Sequence, residues 1–176
     1  DGSERGTDTM RHAVAGCLAA MPASSLIFAP NVNSYTRLVE GAHAPTSAAW
    51  GYDNRTVAIR IPGGSPAARR IEHRTAGGDI NPYLLLSAVL GAAMIGVEDQ
   101  MQPSAPIVGN AYDNADLPSL APDWTSAVDM FESDPLIARI FDPLLIDNLV
   151  RCKRQEIAKF AELAIETHWR TLLERV

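Results

Sequence analysis

Between residues 54 and 74 the chain reads NRTVAIRIPGGSPAARRIEHR. Five of its thirteen arginines fall there (Arg55, Arg60, Arg69, Arg70 and Arg74), with Glu72 as the one acidic residue among them. The whole chain carries a formal charge of −6, so this local concentration of guanidinium runs against the average and calls for an anionic partner. Arginine outnumbers lysine thirteen to two, which favours forked recognition of oxyanions over diffuse positive charge. With a strand's period of two, Arg70, Glu72 and Arg74 share one face. Two guanidiniums flanking a carboxylate suit a site for phosphates plus a divalent cation, because arginine grips phosphate in a fork and a hard cation prefers carboxylate oxygen. The same residues also suit a cross-strand salt-bridge ladder on a solvated face, and pattern alone leaves both readings open.

Several elements must position these side chains. VAIRI is β-branched and aliphatic, RRIEHR alternates, and PGGSPAA between them is turn-rich, so the stretch predicts a two-stranded hairpin. Upstream, Asp8 caps an expected helix over residues 9–20, with Val14, Cys17, Leu18 and Met21 as its apolar stripe and His12 exposed. Pro22 restarts a helical turn through Phe28, which Pro30 ends. Residues 31–54 are broken by asparagine, glycine and proline and read as loop, with a candidate strand at 47–50; Arg37, His43, Trp50 and Tyr52 suit either a loop that closes over a substrate or a structural one. Asn81 and Pro82 open a helix to about residue 99, apolar almost all round and so predicted to be buried, with Gly91, Ala92, Ala93 and Gly96 allowing close approach. Residues 102–122 form an extended surface excursion. Short helices over 124–132 and 135–141 precede a long one over about 143–175, striped by Leu144, Leu145, Leu149, Ile157, Phe160, Ala161, Leu163 and Ala164, one end of which is expected to pack on a partner subunit or a further domain.

A chain of 176 residues, 47% hydrophobic and 20% charged, is long enough for one domain with a substantial core. The acidic total, with no lysine-rich face or stacking surface, argues against nucleic acid as partner. No apolar run reaches membrane-spanning length without polar interruption, and no targeting peptide is visible. Cys17 and Cys152, far apart and outside any metal-binding spacing, read as free thiols of a reducing compartment, with a single disulfide as the alternative, which places the protein in the cytoplasm. There is no Walker loop, GxGxxG or HExxH, so a bound nucleotide would be held by arginines and loops.

At NVNSYTRL, AWGYDNRTVAIRIP, ARRIEHR and NPYLLL, in that order, the sequence resembles the C-terminal part of the glutamine synthetase catalytic domain, strongly over residues 31–99 and more loosely beyond. The segment after Met101 resembles the γ-glutamylpolyamine synthetase-like branch. The resemblance implies an α+β fold, antiparallel strands lining a cleft with helices outside, and an ATP-dependent ligase that joins the γ-carboxylate of glutamate to ammonia or an amine through a γ-glutamyl phosphate. It implies Arg37 and Arg74 for glutamate, Arg55 facing the transferred phosphoryl group, Arg60 and Arg70 on the nucleotide phosphates, and Glu72 ligating Mg2+ or Mn2+. It also implies a homo-oligomeric ring. Where the family usually reads VPGYEAP after NSYKRL, this chain reads VEGAHAP, so His43 replaces a catalytic glutamate and points to a larger amine or to ammonia taken up differently. Ala67 stands where many relatives carry lysine. The family's other metal ligands and its small β-domain lie upstream of the matched part, so residues 1–176 read as a C-terminal portion that is inactive alone. A scaffold module that has kept the fold and lost the chemistry is the competing expectation.

Overall fold

A computed structural model describes residues 6–42 and 44–173. Helix α1 (Asp8–Ala20) begins one residue earlier than expected, because the Thr7 hydroxyl accepts the Met10 amide at 3.1 Å. Asp8 lies instead in the first turn, where its charge suits the helix dipole and pairs with Arg11. Val14, Cys17 and Leu18 are buried, and α2 (Ser25–Phe28) follows from Pro22. His12 is half-buried rather than exposed, since its Nδ1 lies 2.7 Å from the Met101 carbonyl.

Asn81 caps α3 (Pro82–Glu98), its side chain accepting the Tyr83 and Leu84 amides at 3.0 and 3.2 Å, with Pro82 at the first helical position. Helices α1 and α3 run antiparallel: His12 meets the Met101 end and Cys17 the Val89 carbonyl. They pack backbone on backbone. A Cβ on Gly16 would lie 2.7 Å from the Gly96 Cα and amide, and one on Gly96 would lie 2.7 Å from the Gly16 amide. Burial of α3 all round is not what the structure shows. Ala88, Ala92, Ile95 and Gly96 are buried, whereas Tyr83, Leu86, Leu90 and Met94 are between 55% and 80% exposed. One helix presses one face on its neighbours, and along its middle turns Ser87 alone, exposed, is a polar residue on the face that stays out.

Strands β1 (Trp50–Tyr52), β2 (Ile59–Ile61) and β3 (Glu72–His73) form one sheet in that order. The expected hairpin is present: β2 and β3 are antiparallel, with Ile59 opposite His73 and Arg60 opposite Glu72, and a 3-10 turn at Pro66–Ala68 lies between them. The other pairing is parallel, with Trp50 opposite Ile59, whereas antiparallel strands were expected. Parallel strands ordinarily need a crossover of about a dozen residues or more. Here residues 53–58 suffice because the turn leans on a distant segment: Asn54 Nδ2 donates to the Ile107 and Gly109 carbonyls at 3.1 and 2.8 Å, and the Ala111 amide donates to Thr56 Oγ1 at 2.9 Å. That segment, expected as a surface excursion, also covers the open edge of β1, its Ile107 amide donating to the Trp50 carbonyl at 2.8 Å. The candidate strand at 47–50 is displaced toward the C-terminus, leaving Ser47 in a lone bridge to Ser119.

Asp123, Asp134 and Asp142 cap α4 (Trp124–Ser133), α5 (Pro135–Ile140) and α6 (Pro143–Ala161), their carboxylates accepting first-turn amides. Helix α6 ends well short of residue 175. A 3-10 turn at Ile165–Thr167 leads into α7 (His168–Leu172), and the His168 ring stands edge-on to Phe160 at 5.1 Å with Nε2 at 3.2 and 3.3 Å from the Phe160 and Leu163 carbonyls. The imidazole meets one carbonyl of the last turn of α6 and one just beyond it, so a buried histidine turns the chain where neither glycine nor proline is present. Within the expected stripe, Leu144, Leu145, Ala161, Leu163 and Ala164 are exposed.

Cys17 and Cys152 are both unpaired, and burial pushes the Cys17 thiol up to about 11, so it behaves as core. Among the described residues no helix is long and apolar enough to cross a membrane.

Candidate functional site

The β2–β3 register sets Arg60 directly across from Glu72. Arg60 Nη1 donates to Glu72 Oε2 at 3.2 Å, Arg70 Nη2 lies 3.7 Å from the same oxygen, and Arg74 Nε lies 3.5 Å from Oε1. Three guanidiniums therefore converge on one carboxylate, and the alternation of RRIEHR brings this about although β3 itself is only two residues long.

Arg74 does more than flank Glu72. Its Nη1 donates to the Val57 carbonyl at 3.0 Å and to the Arg55 carbonyl, while its amide donates to the Ala58 carbonyl at 2.9 Å. It thereby fixes the turn on which Arg55 stands exposed. Arg70 is also exposed and donates to the Ala68 carbonyl at 3.3 Å. Arg60 reaches Asp53 as well, at 3.0 Å, and its Nε is buried without a partner.

Arg37 ends a 3-10 helix, Val32–Arg37, inside the stretch expected as loop; Asn31 and Ser34 cap one another at its start. Its Nη2 donates to the Phe28 carbonyl at 3.0 Å and the Thr75 carbonyl at 2.6 Å, and its Nε is buried without a partner. Burial lowers the Arg37 pKa, with Asp79 and then Tyr35 opposing the shift. Asp79 in turn accepts from Ser34 at 2.5 Å and Asn31 at 3.1 Å. Since Thr75 follows Arg74 directly, Arg37 is tied to the exit of the hairpin. His43 lies outside the described residues.

Three participants were not singled out in the sequence: Asp53, Asp79 and His73. The His73 ring packs on Phe28 at 4.6 Å, and burial holds its pKa down to about 4, so it is neutral at physiological pH. An imidazole that the fold keeps neutral binds its proton more weakly than in the unfolded chain. Its contribution is present in full above the ordinary value of 6.5 and is lost as pH falls from there through 4. The expected loss is about 2 kcal/mol, below the full linkage value because part of the residue still meets solvent. His73→Phe should flatten that window in urea unfolding at pH 7, 5.5 and 4.5; an unchanged slope would assign the acid sensitivity elsewhere.

Among the described residues no three His, Cys, Asp or Glu side chains form a metal-binding group. Glu72, ringed by guanidiniums, does not by itself fit a divalent cation, which takes six or more oxygen ligands. Anions fit better: among the described residues the ion pairs of Arg60, Arg70 and Arg74 go only to Glu72 and Asp53, and Arg55 stands exposed on the turn that Arg74 holds.

The glutamine synthetase catalytic-domain model matches residues 1–172, and the chain belongs to that family. Its relatives include a γ-glutamylethanolamide synthetase of Streptomyces coelicolor, 35% identical over 170 residues that make up 97% of this chain and 36% of that protein. A γ-glutamylputrescine synthetase of Escherichia coli is 34% identical over 94% of this chain and 35% of its own length. A solved structure of GmaS in complex with ADP superimposes with a TM-score of 0.83 at 28% identity, covering 99% of this chain and 41% of that one. The chain thus spans little more than a third of the curated relatives it matches, and its α+β architecture is that of part of the family's catalytic domain.

Proposed function

We propose that these residues serve an ATP-dependent ligase of the glutamine synthetase type, which joins the γ-carboxylate of glutamate to ammonia or a small amine. In this reading the terminal phosphoryl group of ATP passes to a γ-carboxylate oxygen and ADP departs. The amine nitrogen then attacks the acyl carbon, phosphate leaves with the C–O bond, and the nitrogen gives up a proton. Arg60 and Arg70 bind nucleotide phosphates, Arg55 meets the transferred group, Arg37 and Arg74 bind glutamate, and His43 occupies the amine side. Glu72 would hold a Mg2+ or Mn2+ ion only together with ligands from outside the described residues, and the ion would supply charge neutralisation. Such chemistry rests on positioning and on neutralising oxygen charge, which is what a dense arginine cluster supplies.

The observation that carries this reading is the convergence of Arg60, Arg70 and Arg74 on one hairpin face, with Arg74 also holding the Arg55 turn. Relatives named for ethanolamide and putrescine support an amine larger than ammonia. In this reading the protein works as a homo-oligomer, and residues 1–176 alone do not turn over, because Glu72 is the one carboxylate that the reading gives to the metal. A second reading, a catalytically silent scaffold, is favoured by Glu72 already being shared among three guanidiniums.

The test is phosphate release from ATP and glutamate by the longest native polypeptide containing these residues, comparing ammonium, ethanolamine and putrescine. Turnover with an amine but not ammonium assigns γ-glutamyl-amine synthesis. Turnover with ammonium assigns glutamine synthesis. No turnover and no stabilisation by nucleotide with Mg2+ leaves the scaffold.

A further inference from the structure

Asp53 sits at the exit of β1 with φ of 47°, a left-handed conformation that non-glycine residues adopt rarely and that aspartate and asparagine tolerate best. Three contacts hold it there. Its amide donates to the Ile61 carbonyl at 3.1 Å, its Oδ1 accepts the Gly63 amide at 2.8 Å, and the same oxygen accepts Arg60 Nη2 at 3.0 Å. Gly63 is matched to it, since a Cβ there would overlap the Asp53 carboxylate. The Gly63 amide, and Arg60 after it, hold this carboxyl below the usual range, so it stays charged.

This construction is out of proportion to any contribution to stability. The Asp53 side chain is 60% exposed, and an ion pair so open to water stabilises a fold little. Strain that is kept at an exposed charged group marks a place where geometry matters. The group whose geometry it sets is Arg60, only 16% exposed, held at Nη2 by Asp53 and at Nη1 by Glu72, with Nε buried and unpartnered. The two anchors differ. Glu72 divides its oxygens among Arg60, Arg70 and Arg74, whereas among the described residues Asp53 forms its ion pair with Arg60 alone. An arginine held only by the shared carboxylate would be free to swing.

We infer that Asp53 is a positioning residue for Arg60: it clamps one edge of the guanidinium so that the remaining donors are presented to the phosphates of a bound nucleotide. The inference rests on the phosphate-binding reading of Arg60 above and adds the residue that makes that reading geometrically specific. A planar fork recognises phosphate only when its plane is fixed, so the clamp supplies preorganisation rather than charge.

The test uses the longest native polypeptide containing this chain, with ADP in magnesium buffer as probe, and reads ADP dissociation constants beside KM for ATP and for glutamate. Asp53→Asn keeps the left-handed backbone and an acceptor for Gly63 while removing the charge. Asp53→Gly relieves the backbone and removes the clamp. Each is expected to weaken ADP binding about tenfold, as loss of a hydrogen bond between charged groups does. KM for glutamate should stay unchanged, and Asp53→Gly should unfold at or above the wild-type temperature. In Arg60→Ala, which itself binds ADP weakly, adding Asp53→Asn should cost nothing further, because the aspartate acts through the arginine. Wild-type ADP affinity in both Asp53 variants, parallel losses for ADP and glutamate, or additive losses with Arg60→Ala would each overturn the inference. Wild-type ADP affinity in Arg60→Ala would instead sink the phosphate reading of Arg60, and the positioning role with it.

Discussion

Replacing Gly96 with valine is expected to destabilise the fold by about 3 kcal/mol or more, the upper end of overpacking effects, because the obstacle is backbone rather than side chain. A Cβ at Gly96 would press on the His12 carbonyl and on the Gly16 amide and Cα, so α1 and α3 must separate along their length. Side-chain clashes relax by changing rotamer, but two helix backbones in contact have none to change. Separation would also loosen Cys17, Ala88 and Ala92 in the core and stretch the His12 contact to Met101. Urea or thermal unfolding measures the effect, and Gly91→Ala is the control. There the neighbour is the Ile140 side chain, which can shift, and a loss of about 1 kcal/mol is expected. Equal losses for the two would show that the α1–α3 approach is looser than the structure has it.

On the ligase reading proposed above, Arg74→Ala in the longest native polypeptide is expected to lower turnover about 10³-fold, at the upper end of what removing one preorganised electrostatic donor does. The magnitude follows from three simultaneous losses: the carbonyls of Val57 and Arg55 lose their donor, the Arg55 turn is freed, and Glu72 loses one of its three guanidinium neighbours. Arg74→Lys separates these. An ammonium restores charge near Glu72 but cannot span two carbonyls and a carboxylate as a planar fork does. We therefore expect lysine to recover stability and only a small part of the rate. Full recovery by lysine would reduce the role of Arg74 to charge alone, and steady-state rates with ATP and glutamate decide the matter.

What could be read in advance followed physical locality. The starts of α3, α5 and α6 were legible because each is an Asn-Pro or Asp-Pro pair, a cap and a first-turn residue written next to each other. The arginine face was legible because period-two alternation needs only neighbours. The end of α6 was not, since His168 closes it from eight residues beyond Phe160. Nor was the parallel pairing of β1, which depends on residues 104–111 bracing a turn more than fifty positions earlier. In α3 a single interior polar residue, Ser87, marked the open face, too little to separate it from the covered one. Asp53 was not singled out, because only the sheet register brings it to Arg60 and Gly63.

The arginine hairpin lies on a chain whose total charge is −6. To a polyphosphate still in bulk solution the molecule is an anion and repels it; within about one screening length, roughly 10 Å at 0.1 M salt, the hairpin dominates and draws it in. Added salt weakens both fields, removing first the distant repulsion and only later the close attraction. On the proposed nucleotide reading, the diffusional capture rate of this chain should accordingly rise and then fall with ionic strength, so that the encounter is fastest at an intermediate salt concentration rather than in the most dilute buffer.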